Sequence, residues 1–178
     1  MGFSISWIGF KAEDKDEALR LLGLVDTGEL DEANESPLSG AVLPTGWFIV
    51  FSNDFDFATP KRLAELSLGR QVIACQVEEH VMVSAAYCYD DGEAVWWASH
   101  VSDSGRYDLT AEGALPDGFA ALKDRLFKEQ EAEGGAEADV DFVFDVPVEQ
   151  ALAICGYRYD QCTYEWGEPA FTELAAVQ

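Results

Sequence analysis

The sequence predicts an α+β fold: a largely antiparallel β-sheet with a central hairpin and meander, and about four helices packed on it. Three observations carry that expectation. Asp91-Gly92 lies between two apolar, β-branched and aromatic runs, a strong local signal for a two-residue hairpin. A second turn at Asp103-Ser104-Gly105 leads into another strand-like run with no helix between. Helical signals fall on either side of these strands, so the strand-helix alternation of a doubly wound parallel sheet is broken.

In chain order, residues 3–10 read as a short first strand. A helix follows, with Asp14 as N-cap, Ala18, Leu19, Leu21 and Leu22 as its apolar side, and Gly23 as its stop. Residues 24–44 read as a long, acidic, turn-rich connection of the kind that is often functional. Residues 46–52 form an aromatic and β-branched run, the pattern of a buried strand. Thr59 and Pro60 supply the N-cap and first-turn proline of a helix over residues 61–68, ended by Gly69. Residues 72–77 are the next strand.

The Asp91-Gly92 turn pairs residues 81–90 with 93–101, setting Tyr87 opposite Trp96, Ala85 opposite Ala98 and Val83 opposite His100. The next turn brings His100 opposite Tyr107 and Ala98 opposite Leu109. The pleat then gathers Val83, Ala85, Tyr87, Trp96, Ala98, His100, Tyr107 and Leu109 on the core face. Beyond Pro116 an amphipathic helix runs over residues 117–132, with Phe119, Leu122, Leu126 and Phe127 as its stripe. Residues 133–139 form a flexible break within what is expected to be one domain over residues 1–178. Residues 142–144 read as a strand, and Pro147 opens a helix that stops at Gly156. The tail from Tyr157 to Gln178 begins aromatic and fades into a weakly amphipathic end.

The charge restricts function more than any motif does. There are 34 Asp and Glu against 11 Lys and Arg, a formal net charge of -23 over 178 residues. Between Leu21 and Pro60 lie seven acids and no Lys or Arg, and residues 129–157 add eight more. Neighbouring cations are missing there, so a strong negative field is expected. Such a field repels DNA, RNA and anionic membranes and attracts basic protein faces and metal cations. No run approaches the ~20 apolar residues of a membrane span. The amino terminus does not read as a secretory signal. Cys75, Cys88, Cys155 and Cys162 fit no close-paired zinc spacing, and free thiols in a cytoplasmic protein are the expectation.

Three local clusters carry candidate chemistry. Glu78-Glu79-His80 places Glu78 and His80 on one face of a strand, where with His100 they would ligate a divalent metal or work as an acid-base pair. The plainer account is a polar bend between strands, and a hydrogen-bonded core role for His100. Asn53-Asp54-Phe55-Asp56 spaces carboxylates as hard-cation loops do, but it lacks the glycine and closing glutamate of an EF-hand and reads as an Asx turn. No nucleophile elbow, phosphate loop, dinucleotide fingerprint or HExxH helix is present, which lowers the expectation of an enzyme.

Residues 46–57, the stretch from Glu78 to His100, and residues 141–160 with Phe144-Asp145-Val146-Pro147-Val148 at their centre resemble an uncharacterised group of small acidic bacterial proteins. That resemblance implies no activity and no site residue. In size, acidity and α+β character the chain is more loosely similar to immunity proteins that neutralise basic toxin domains. The leading expectation is a non-enzymatic, cytoplasmic interaction module for a basic protein partner, of the immunity or inhibitor kind. Asp26, Glu29, Asp31, Glu32 and Glu35 would supply its charge contacts, and Trp97 and Trp166 its aromatic anchors. No cofactor is expected on that reading. The alternatives are a metal-dependent hydrolase or small-molecule binder using Glu78, His80 and His100, and a homo-oligomeric structural protein joined through edge strands.

Overall fold

The run Trp47-Phe48-Ile49-Val50-Phe51 offers no polar face, so a strand made from it must be covered on both sides. The computed structural model describes residues 2–178 and shows that covering. Its elements are β1 (Ser4–Lys11), α1 (Lys15–Leu22), β2 (Leu24–Leu30), β3 (Leu38–Val42), β4 (Trp47–Ser52), α2 (Pro60–Leu66), β5 (Gln71–Glu78), β6 (Val83–Asp90), β7 (Glu93–Val101), β8 (Thr110–Gly113), α3 (Phe119–Ala132), α4 (Asp145–Cys155) and β9 (Thr172–Ala176). The strands form one nine-stranded sheet of order β2-β9-β3-β4-β1-β5-β6-β7-β8. Every pairing is antiparallel. This is the α+β class read from the hairpin and meander.

Side chains alternate between two cores as the period of a strand requires. Ile8 and Phe10 of β1, with Phe48 and Val50 of β4, pack under Ala18 and Leu19 of α1 and Leu63 and Leu66 of α2. Ile5 and Trp7 point the other way and, with Ile49 and Phe51, meet Val148, Ala151 and Cys155 of α4. Beside them Phe119 and Leu126 of α3 close over Ala98. Each fully buried side chain of this size contributes roughly 1.5–3 kcal/mol. Among the described residues, no helix is long and apolar enough to cross a membrane.

Local signals place the helix ends. Gly23 takes the left-handed conformation that closes α1, with φ 68°. Thr59 Oγ1 accepts the Arg62 N–H at 3.4 Å, and Pro60 occupies the first turn of α2.

Elsewhere long-range pairing overrides the local sequence. Residues 24–44 are not a free connection but contain β2 and β3. β2 is an edge strand exposed along nearly all its length, so it shows no apolar alternation to read. The tail ends as β9, inserted between β2 and β3, and not as a weakly amphipathic terminus. Residues 142–144 form the turn into α4 and make no strand pairing, while Phe144 and Val143 are buried beneath it. The 133–139 break contains a single 3-10 turn, Gly135–Glu137, that Gln130 ties down by donating to the Gly135 carbonyl.

The hairpin register also differs by one residue. Asp90 opposes Glu93 as expected, but a bulge at Val95 shifts the rest, so Tyr87 opposes Trp97, Ala86 opposes Ala98 and Ser84 opposes His100. Ser84, Ala86 and Cys88 of β6 therefore share the face of Trp96, Ala98 and His100, while Tyr87 and Tyr89 turn to the opposite core. Trp96, Ala98 and His100 of β7 remain core-facing and buried. The third strand starts at Thr110 and pairs Ala98 with Ala111 instead of Leu109.

Candidate functional site

Antiparallel pairing of β1 with β4 sets Ser6 opposite Ser52, bringing Phe3 and Asn53 to the same end of the sheet. The turn between β2 and β3 and the crossover from α4 to β9 converge on that end. Between them lies a cleft of about 560 Å³, within the size range of small-ligand sites. Phe51, Tyr157 and Phe171 form its floor, each almost fully buried, while Tyr159 and the half-exposed Phe3 form an aromatic wall. Phe3 and Tyr159 meet edge to face at 5.3 Å between ring centroids. Tyr157 and Phe171 are 5.6 Å apart.

Polar groups hold the walls. The Asp31 carboxylate accepts the Glu35 and Ser36 N–H groups at 2.8 and 3.1 Å, closing the turn that carries Glu32. Asn53 Nδ2 donates to the carbonyls of Asn34 and Ser36 at 2.7 and 2.8 Å, fastening that turn to the end of β4. Glu79 accepts the Phe3 N–H at 2.9 Å and the Tyr159 hydroxyl at 2.7 Å, so one carboxylate fixes both halves of the aromatic wall. Burial, followed by that bond to Glu79, pushes the Tyr159 phenol well above its ordinary pKa, and it remains a donor.

The electrostatics of the cleft are one-sided. Glu32, Asp160 and Glu168 line it, and among the described residues no Lys, Arg or His does. Arg158 binds Asp160 through Nε at 2.6 Å and also binds Asp145 at 2.8 Å, so Asp160 is compensated. Glu32 and Glu168 take part in no ion pair among the described residues. A shallower groove adjoins the cleft, sharing Asn34 and Asn53 and adding Glu35 and Asp54. A cleft lined by aromatic rings and unpaired acids attracts positive charge through both ring quadrupoles and formal charge.

Comparison with models of protein families, with curated proteins and with solved structures finds no match to this chain.

The acidic residues singled out in the sequence separate into two groups. Asp26 is structural: it pairs with Lys15 at 3.1 Å and accepts from Thr172 and Gly28. Burial raises its pKa, and those bonds outweigh burial, leaving it below the ordinary value. Asp31 is buried and spent on its own turn. Glu29, Glu32 and Glu35 are exposed, and Glu32 and Glu35 face the cleft and its groove. Trp166 stacks on Tyr164 at 4.6 Å and packs against the core, while Trp97 is half-buried on β7; neither lines the cleft.

Glu78, His80 and His100 do not assemble. His80 is exposed in the turn after β5, where its Nδ1 lies 2.6 Å from Glu78. His100 is fully buried on β7, with Nδ1 at 2.6 Å from the Asp108 carbonyl and Nε2 at 2.9 Å from Asp141. Both ring nitrogens are thus engaged, and among the described residues no three His, Cys, Asp or Glu side chains are grouped to hold a metal.

Phe3, Tyr159 and Glu168 carry no signal among the three sequence clusters. Glu79, which belongs to one of them, serves as the tie between Phe3 and Tyr159 and not as a partner of His80. Tyr157 and Tyr159, two apart and just past a helix-ending glycine, were the available signal, since aromatics at that spacing share one side of an extended chain.

Proposed function

We propose that this protein is an interaction module for a basic protein partner, which it meets with the acidic end of the sheet that carries the cleft. The observation that carries this reading is that, among the described residues, the lining holds Glu32, Asp160 and Glu168 and no Lys, Arg or His. The rest of the surface fits a basic partner better than a nucleic acid. Of the 11 Lys and Arg, Lys15, Arg20, Arg70, Arg106, Arg125 and Arg158 are already committed to carboxylates. The other five stand against 34 acids, a poor balance for meeting phosphates.

Electrostatic docking speeds encounter and weakens with salt. The test compares the wild type with the E32Q/E35Q/E168Q variant as immobilised baits in lysate of the source organism, washed at low and then high salt. The expected result is a basic protein held by the wild type, released by salt and not held by the variant. Equal retention by both baits would overturn the reading.

A further inference from the structure

We propose that the cleft is a receptor for an alkyl cation, a guanidinium or ammonium head on an apolar stem. This deepens the interaction reading, since such a group is what a basic partner would insert. It also stands apart from that reading, because a free small molecule carries the same chemistry.

The cleft is divided as an amphipathic cation requires. Phe3 and Tyr159 line the cleft with aromatic surface, of the kind that covers a methylene stem and attracts a cation. Glu32 and Glu168, in no ion pair among the described residues, line the same cleft. A bare divalent metal is not the matching ligand, because the acids here are not grouped for coordination. An anion would meet the uncompensated carboxylates of Glu32 and Glu168 and, among the described lining residues, no side chain with positive charge. The site is also prepared in advance: Glu79 fixes the wall and Asn53 fixes the turn carrying Glu32, so little ordering opposes binding.

The experiment is a titration followed by calorimetry and by the ring signals of Phe3 and Tyr159. Its probes are agmatine, the tripeptide acetyl-Gly-Arg-Gly-amide, and the citrulline analogue of that peptide as a neutral match in shape. Saturable binding of a cationic probe, absent for citrulline and weakened at least ~10-fold in the E32Q/E168Q variant, is the expected result. Both substitutions are at exposed positions, and a second variant, F3A, should weaken both cationic probes without changing net charge. Agmatine binding as tightly as the peptide would identify a free small cation as the ligand; a peptide preference of ~10-fold would identify a side chain. No saturable binding of either cation, or equal binding of citrulline, would overturn the proposal. Cation binding without a retained protein in the lysate experiment would leave the receptor standing and remove the protein partner.

Discussion

Both ring nitrogens of His100 face oxygen atoms, one a backbone carbonyl and one a carboxylate, and this fixes its charge. A carbonyl cannot donate. Asp141 is held ionised: burial raises its pKa, but the bonds from His100 and the Phe144 N–H, with Arg106 at 3.3 Å, outweigh burial and lower it. Each nitrogen must therefore donate, which makes the buried ring an imidazolium. Burial lowers the His100 pKa, and the Asp141 and Asp108 bonds outweigh that and raise it above 6.5. Charged groups facing it are Asp141, Asp108 and, through Asp141, Arg106. A group whose folded pKa is raised stabilises fully below the unfolded value and loses that contribution as pH rises through the folded value. The unfolding free energy from urea titration should therefore fall as pH climbs above 6.5. Replacing His100 by Gln should abolish that fall and cost about 3 kcal/mol at pH 6, by stranding a buried carboxylate. A wild-type profile flat between pH 6 and 9 would refute the imidazolium.

β9 is the element on which the acidic end depends, because it alone joins β2 to the rest of the sheet. Its anchor is Leu174, buried at 4% exposure, whose Cδ1 lies 3.0 Å from where a side chain on Gly40 would begin. Replacing Leu174 by Asp puts a charge into that contact, a change that costs several kcal/mol. The expected outcome is loss of amide-exchange protection in β2 and β9, with β5, β6 and β7 still protected. Uniform loss across the sheet would show instead that the acidic end has no separate stability. The same strand marks the limit of what the sequence displays. The Thr59-Pro60 helix start, the Asp91-Gly92 turn and the apolar run of β4 are local signals, and each sits where its chemistry places it. The pairing of Ser39 with Glu173 joins residues far apart in the chain, and nothing in Thr172–Ala176 specifies its neighbours. The Val95 bulge is likewise invisible before the pairing is known. The cleft suffers most from this limit. Glu32 was legible as an acid in a cation-free stretch, but Phe3, Phe51 and Tyr159 meet it only because four separate segments end together.

At the level of the whole molecule, a net charge of -23 stands against a fold whose burial is otherwise ample. The two effects are separable, because hydrophobic cores on both faces of the sheet are nearly indifferent to moderate salt, whereas charge repulsion is not. Several ion pairs, such as Arg20 with Glu17 and Arg125 with Glu129, are largely exposed, so they contribute little and lose little when screened. The acids outnumber them and extend to the unpaired carboxylates of the cleft. Raising ionic strength from 0.01 to 1 M shortens the screening length from about 30 Å to about 3 Å. Repulsion among the acids should then fall while the cores remain. The melting temperature in sodium chloride should therefore rise, with most of the gain complete by ~0.15 M. The E32Q/E35Q/E168Q variant should start higher and gain less, because part of the repulsion has already been removed. A melting temperature that falls with salt would mean that the ion pairs outweigh the repulsion, and the acidic end would then be neutralised from within rather than held open for a cation.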